Sequence, residues 1–132
     1  MNRIWRRIVA AAALSFWAAI FVGTHVPSPD LGDLPRHSDK LMHFVAYAGL
    51  AFLLGLWRGV LRELTARDYA VVFAITAAYA VADELLQLIP ALNRTCDPID
   101  VLADCIGSLC GLAALRAFIP IYRRFAPGYV SS

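Results

Sequence analysis

Four apolar runs, each near the length needed to cross a lipid bilayer, constrain this chain more than any other feature. They cover residues 8–26, 41–57, 69–89 and 101–119. A bilayer's hydrocarbon core is ~30 Å thick, and a helix of ~20 apolar residues crosses it. Composition agrees: 60% of the residues are hydrophobic and 17% charged, whereas soluble domains sit nearer half and a quarter. The reading is an all-α, multi-pass membrane protein, one domain over residues 1–132 with four transmembrane helices.

The segments between the runs support this division. Residues 1–7, MNRIWRR, are basic, and no small-x-small cleavage pattern follows the first run, where VGTHVPSPD stands. That run is therefore read as an uncleaved span. Residues 27–40 hold three prolines, Gly32 and three aspartates, a loop with Ser38 or Asp39 as candidate N-cap of the second helix. Pro90 is expected to end the third span and Pro120 the fourth. Arg3, Arg6 and Arg7, then Arg58, Arg62 and Arg67, then Arg116, Arg123 and Arg124 all fall on one side of such a bundle. The other side has Arg36, Lys40 and Arg94 against five aspartates. The positive-inside bias then puts both termini in the cytoplasm, with Trp5, Trp57, Tyr69 and Tyr122 at that interface. No basic run interleaved with aromatics points to nucleic acid. The three cysteines form no C-x-x-C motif; Cys96, Cys105 and Cys110 are read as free thiols, a bridge from Cys96 to another chain being the alternative.

The unusual polar residues gather on the outer side. Asp83, Glu84 and Gln87 close the third span, and Asn93, Arg94, Asp97, Asp100 and Asp104 lead into the fourth. Asp39, Lys40 and His43 open the second. Measured from Pro90, Glu84 lies ~9 Å below its helix end, a depth at which a charge is costly and rarely kept without a reason. Lys40, His43 and Tyr47 are spaced i, i+3, i+7 on one stripe. Asp97, Asp100, Asp104 and Gly107 continue as i, i+3, i+7, i+10 if the fourth helix reaches back to Asp97, which Pro98 permits in a first turn. Asp83 and Glu84 point about 100° apart. Glu84 is read as facing inward with Gln87, and Asp83 as meeting another helix. Gly107 and Gly111 form a G-x-x-x-G step, flanked by Ala103 and Ala114, suited to close packing within the chain or to a dimer seam.

Three functions fit this pattern. In the first, the charges form a structural network, with Glu84 and Asp100 paired to Lys40 and Arg94. In the second, the protein is an enzyme acting on a phosphate-bearing lipid or cell-envelope precursor. His43 is then the acid or base, Glu84 or Asp100 orients it or holds a cation, and Lys40 and Arg94 bind phosphate. Tyr47, Gln87, Asp97 and Asp104 would complete the substrate site. In the third, the protein is a binding or interaction module: the same pocket holds a lipid headgroup or glycan without chemistry, or the small-residue face docks another membrane protein. No H-x-x-x-H or H-E-x-x-H spacing is present, so no metal or other cofactor is assigned.

The blocks D-K-L-M-H-F-V-A-Y (Asp39 to Tyr47), D-E-L-L-Q (Asp83 to Gln87), Arg94, and D-P-I-D-V-L-A-D-C-I-G-S-L-C-G (Asp97 to Gly111) resemble the VanZ-like family of small bacterial membrane proteins. The resemblance implies a four-helix protein of the bacterial plasma membrane. It brings an association with resistance to the glycopeptide teicoplanin but no settled activity. Asp104 stands where the family usually shows asparagine, which adds a potential negative charge.

Overall fold

The computed structural model describes residues 2–26, 38–60, 62–92 and 94–125. It contains α1 (Asn2–His25), α2 (Ser38–Gly59), α3 (Ala66–Leu86), a single 3-10 turn (Pro90–Leu92) and α4 (Pro98–Phe125). All four α-helices are long and apolar enough to cross a membrane. The shortest, α3, has 21 residues, or ~31 Å at 1.5 Å per residue. The all-α, four-span architecture expected from the apolar runs is thus what forms. The expected loop at 27–37, Asn93 and the tail beyond 125 lie outside the described residues.

Side-chain pairs fix an up–down–up–down arrangement. Lys40 at the start of α2 bonds Asp97 and Asp100 at the start of α4. Asp83, near the end of α3, meets Thr24 near the end of α1. At the opposite end, Arg58 in the last turn of α2 and Arg62 after it both hold Asp68 in the first turn of α3. Thr65 caps α3 there: its hydroxyl accepts from the Asp68 N–H while the Asp68 carboxylate accepts from the Thr65 N–H. This reciprocal capping box satisfies helix-end donors.

Polarity is inverted relative to a water-soluble bundle. Leu102, Ile106 and Leu109 of α4 are exposed, while Asp100, Asp104 and Ser108 on the opposite side are buried. On α3, Val81 and Leu85 face out beside buried Asp83 and Glu84. Such a surface is stable only against lipid.

Helix α2 is the central element. Its buried face, Tyr47, Leu50, Ala51 and Leu54, packs with Ala13 and Ile20 of α1, Val72 and Ala80 of α3, and Leu112 of α4. The approach of α4 is the closest. A Cβ built on Gly107 would overlap the Phe44 carbonyl oxygen, and one on Gly111 the Ala48 carbonyl oxygen. Only glycine lets these backbones meet. The small-residue step that the sequence offers either to packing or to a dimer seam is covered by α2 of the same chain.

Three helix ends correct the sequence expectation. α1 starts at Asn2 rather than residue 8, so its arginines belong to the helix. α3 ends at Leu86 rather than residue 89. A residue preceding proline is driven from the α-region, and here the chain tightens in advance: the Leu88 N–H donates to Leu85 and the Ile89 N–H to Leu86. Glu84 therefore lies in the last turn of α3, and the ~9 Å depth drawn from Pro90 shrinks to ~3 Å below the helix end. Its burial comes from neighbouring helices instead. α4 continues through Pro120 to Phe125. The proline leaves the Arg116 carbonyl without its helical donor, a single lost bond at an exposed residue within the last turns of a long helix.

Candidate functional site

The polar end of the bundle is built from the ends of all four helices. α4 begins with Asp97 as N-cap: its Oδ1 accepts from the Ile99 N–H at 2.9 Å, and its carbonyl accepts from the Asp100 N–H at 2.9 Å. Pro98 occupies the first helical position, where its missing N–H costs nothing. The Asp97 N–H donates to Glu84 Oε1 at 2.5 Å. Lys40 Nζ donates to Asp97 Oδ2 at 2.6 Å and to Asp100 Oδ1 at 2.7 Å. One ammonium thus clamps two positions of α4 one turn apart. His43, the next residue on the α2 stripe, places Nδ1 at 3.1 Å from Asp104 Oδ1. Both rings of contact are shielded: His43 is 6% exposed and Asp104 1%.

The structure brings Lys40, His43, Asp97, Asp100 and Asp104 together at one end of the bundle, His43, Asp100 and Asp104 buried and Lys40 and Asp97 half-buried, with a different division of labour. Asp104, not Glu84 or Asp100, holds the histidine. Glu84 is buried but bonds a backbone N–H rather than His43. Among the described residues Arg94 bonds no carboxylate; its guanidinium donates to the carbonyls of Gly23 and Val26 at the end of α1. It fills the role of a cation at a helix C-terminus, so the expected pairing of Arg94 with Glu84 or Asp100 is not formed. Asp83 meets α1, as its orientation implied: Thr24 Oγ1 lies 3.0 Å from Asp83 Oδ1, and His25 Nδ1 lies 3.6 Å from it. Gln87 is buried, and its Nε2 has no hydrogen-bond partner among the described residues. Tyr47 is fully buried and stacks on Tyr79 of α3 at 5.8 Å, which meets Trp17 of α1 edge-on at 5.2 Å.

A groove of about 310 Å³ opens between α1 and α2 beside these residues. Phe16, Ala19, Ile20, Met42 and Ala46 make its apolar walls, and Thr24, Asp39, His43 and Arg94 its polar end. Because Nδ1 of His43 is held by Asp104, Nε2 is the nitrogen left for a ligand. Asp39, His43 and Asp100 each offer one atom within 4.8 Å of the others. An N/O set of this kind suits a divalent cation, with Asp104 orienting the imidazole from behind. Asp100 Oδ1 also accepts from Lys40 Nζ, so an ion here would share this carboxylate with the ammonium.

Asp39, a candidate cap and part of the polar patch with Lys40 and His43 by sequence, lies within α2 and lines the groove. The contributor that the sequence does not single out is the end of α1, where Thr24 and His25 meet Asp83. The signal available was the pair of polar residues at the end of that apolar run.

The model of the VanZ/LLP1 family matches residues 3–119, which takes in every residue of this site. The chain belongs to the VanZ/LLP1 family. No curated protein and no solved structure matches it. As a VanZ/LLP1 member with four spans, it is a multi-pass protein of the bacterial plasma membrane, in a family associated with the cell envelope and antibiotic resistance.

In this VanZ/LLP1 chain the clamp between α2 and α4 has a definite acid response. The Lys40 ammonium, helped by the Ile99 N–H, holds the Asp97 carboxyl below the usual carboxylate range. A depressed folded value means that the stabilisation is complete above ~4, the unfolded value. It is lost as pH falls through the lower folded value. Asp97→Asn should therefore lower the melting temperature in detergent at neutral pH, and the gap from wild type should close as pH falls below ~4. A gap constant across that range would show that Asp97 acts without its charge.

Proposed function

We propose that the α1–α2 groove receives the phosphate-bearing end of a lipid or lipid-linked cell-envelope precursor at the outer face of the plasma membrane. The outward placement rests on the arginine distribution, which assigns both termini and the Arg58–Arg67 segment to the cytoplasm. The observation that carries the reading is His43. It is buried, held at Nδ1 by Asp104, and lies where an apolar groove turns polar. Acyl or prenyl chains match Phe16, Ile20 and Met42, while a phosphate beside His43 would meet Arg94 at the same mouth. An imidazole held this way can take or give a proton on a phosphate oxygen. A divalent cation on Asp39, His43 and Asp100 would offset the negative charge of phosphate against these carboxylates.

Binding is tested with full-length protein in nanodiscs, comparing a polyprenyl phosphate with the uncharged polyprenol. The phosphate should bind at least about tenfold more tightly, a difference of ~1.4 kcal/mol, and His43→Ala should remove most of that preference. Equal binding of phosphate and alcohol would overturn the reading.

A second reading is favoured by particular bonds: Lys40, Glu84 and Arg94 are each engaged within the chain. On it, the polar end is a structural network and the protein a membrane scaffold. Lys40→Met, Glu84→Gln and Arg94→Gln would then reduce function only in proportion to folded protein.

A further inference from the structure

The end of the bundle away from the groove holds two adjoining cavities. One, of about 230 Å³, is lined by Arg6, Trp57, Arg58 and Arg62. The other, of about 470 Å³, is lined by Arg3, Arg6, Arg7, Ala10 and Trp57. Arg6 and Trp57 belong to both, so the two form one continuous recess between the start of α1 and the end of α2.

The charges around it are unequal. Arg58 and Arg62 share Asp68, at 2.8 and 2.5 Å. Arg3, Arg6 and Arg7 enter no ion pair among the described residues. The acids at this end are Glu63 and the buried Asp68, against Arg3, Arg6, Arg7, Arg58, Arg62 and Arg67, so the positive charge is only partly offset. Guanidinium groups lining one recess repel one another, and an anion between them relieves the repulsion. Guanidinium groups match the oxygens of phosphate two at a time. Trp57, 38% exposed at the end of α2, has the place and amphipathic ring of a residue at headgroup level. Ile4 and Ile8 on the same stretch of α1 as Arg3, Arg6 and Arg7 are exposed, an apolar surface suited to acyl chains.

We propose that this recess is a binding site for the phosphate of an anionic phospholipid, with Arg6 at its centre, Arg3 and Arg7 beside it and Trp57 against the glycerol region. Basic pockets between transmembrane helices take anionic headgroups in this way. The site is separate from the groove near His43 and does not depend on what that groove receives.

The test uses full-length protein in detergent, titrated with phosphatidylglycerol and with zwitterionic phosphatidylcholine and followed by native mass spectrometry. Phosphatidylglycerol should be retained in preference. Arg6→Gln should weaken it about fivefold, the size expected for one arginine near an anionic surface. Arg6 has no ion pair to lose, and Arg3 and Arg7 remain to support insertion, so this variant should melt with the wild type. Arg67→Gln is the decisive control. Arg67 is exposed at the same end but lines neither cavity, and its loss should leave binding unchanged. Equal weakening by Arg67→Gln would mean diffuse surface attraction and would overturn the site. Displacement of the lipid by inorganic phosphate would make the ligand a soluble anion and overturn the lipid assignment.

Discussion

Gly107→Leu and Gly111→Leu should each yield almost no monodisperse protein from detergent, and the two alanine variants should be recovered with clearly lowered melting temperatures. The cause is the approach of α4 to α2. At both glycines even a single methyl group would overlap a backbone carbonyl of α2, at Phe44 and at Ala48. No rotamer change relieves a clash with backbone, so the whole helix must move. Adding methylenes to a well-packed interior costs roughly 1–3 kcal/mol even where side chains can adjust, and here they cannot. The displacement would also propagate. Lys40 and His43 lie on the part of α2 next to Phe44, and their partners Asp97, Asp100 and Asp104 lie on α4. Gly107→Ala should therefore weaken ligand binding as well as stability. Gly23→Ala supplies the contrast. Gly23 lines the groove, but a Cβ there meets nothing within 4 Å, and an alanine in a helix interior gains up to ~1 kcal/mol over glycine. Gly23→Ala should melt at or above the wild type. If Gly107→Ala melts with the wild type, close backbone approach is not what joins these helices.

These contacts show which parts of the fold and the site a reader of the sequence can reach. The stripe Lys40–His43–Tyr47 and its counterpart Asp97–Asp100–Asp104 are legible because helix geometry converts i, i+3, i+7 spacing into a shared face. Burial of that face follows from the cost of charge in lipid. Which acid meets which base does not follow. Asp104 rather than Glu84 reaches His43 because the glycine step sets the register between α2 and α4, and that register is a property of two helices together. By charge Arg94 is a partner for a carboxylate, yet it bonds the carbonyls that end α1, a demand that exists only once α1 is placed beside the loop. Prolines misled in two opposite ways. Before Pro90 the helix stops earlier than the proline itself requires. At Pro120 it does not stop, because one lost hydrogen bond near an exposed helix end is a small charge against the packing of a long span.

His43→Gln is the substitution expected to separate chemistry from architecture most sharply. A glutamine amide can still donate to Asp104 Oδ1, so the bond between α2 and α4 is kept and the melting temperature should change little. It cannot exchange a proton near neutrality, so any turnover of a phosphate-bearing lipid should fall by roughly 10²-fold or more. Asp104 supplies the complementary test. Asp104→Asn keeps an acceptor oxygen facing Nδ1, and this chain resembles a family that usually shows asparagine here. That variant should stay folded and active. Asp104→Leu removes the acceptor, frees the imidazole to turn, and leaves a buried donor unpaired at a cost of ~1–3 kcal/mol. It should lose most activity and some stability together. The measurement is turnover per folded molecule, with folded protein counted by size-exclusion chromatography and thermal unfolding. Full turnover in His43→Gln excludes proton transfer by His43 and leaves the groove as a binding site alone. Activity that merely tracks the amount of folded protein across all three variants assigns the whole polar end to structure.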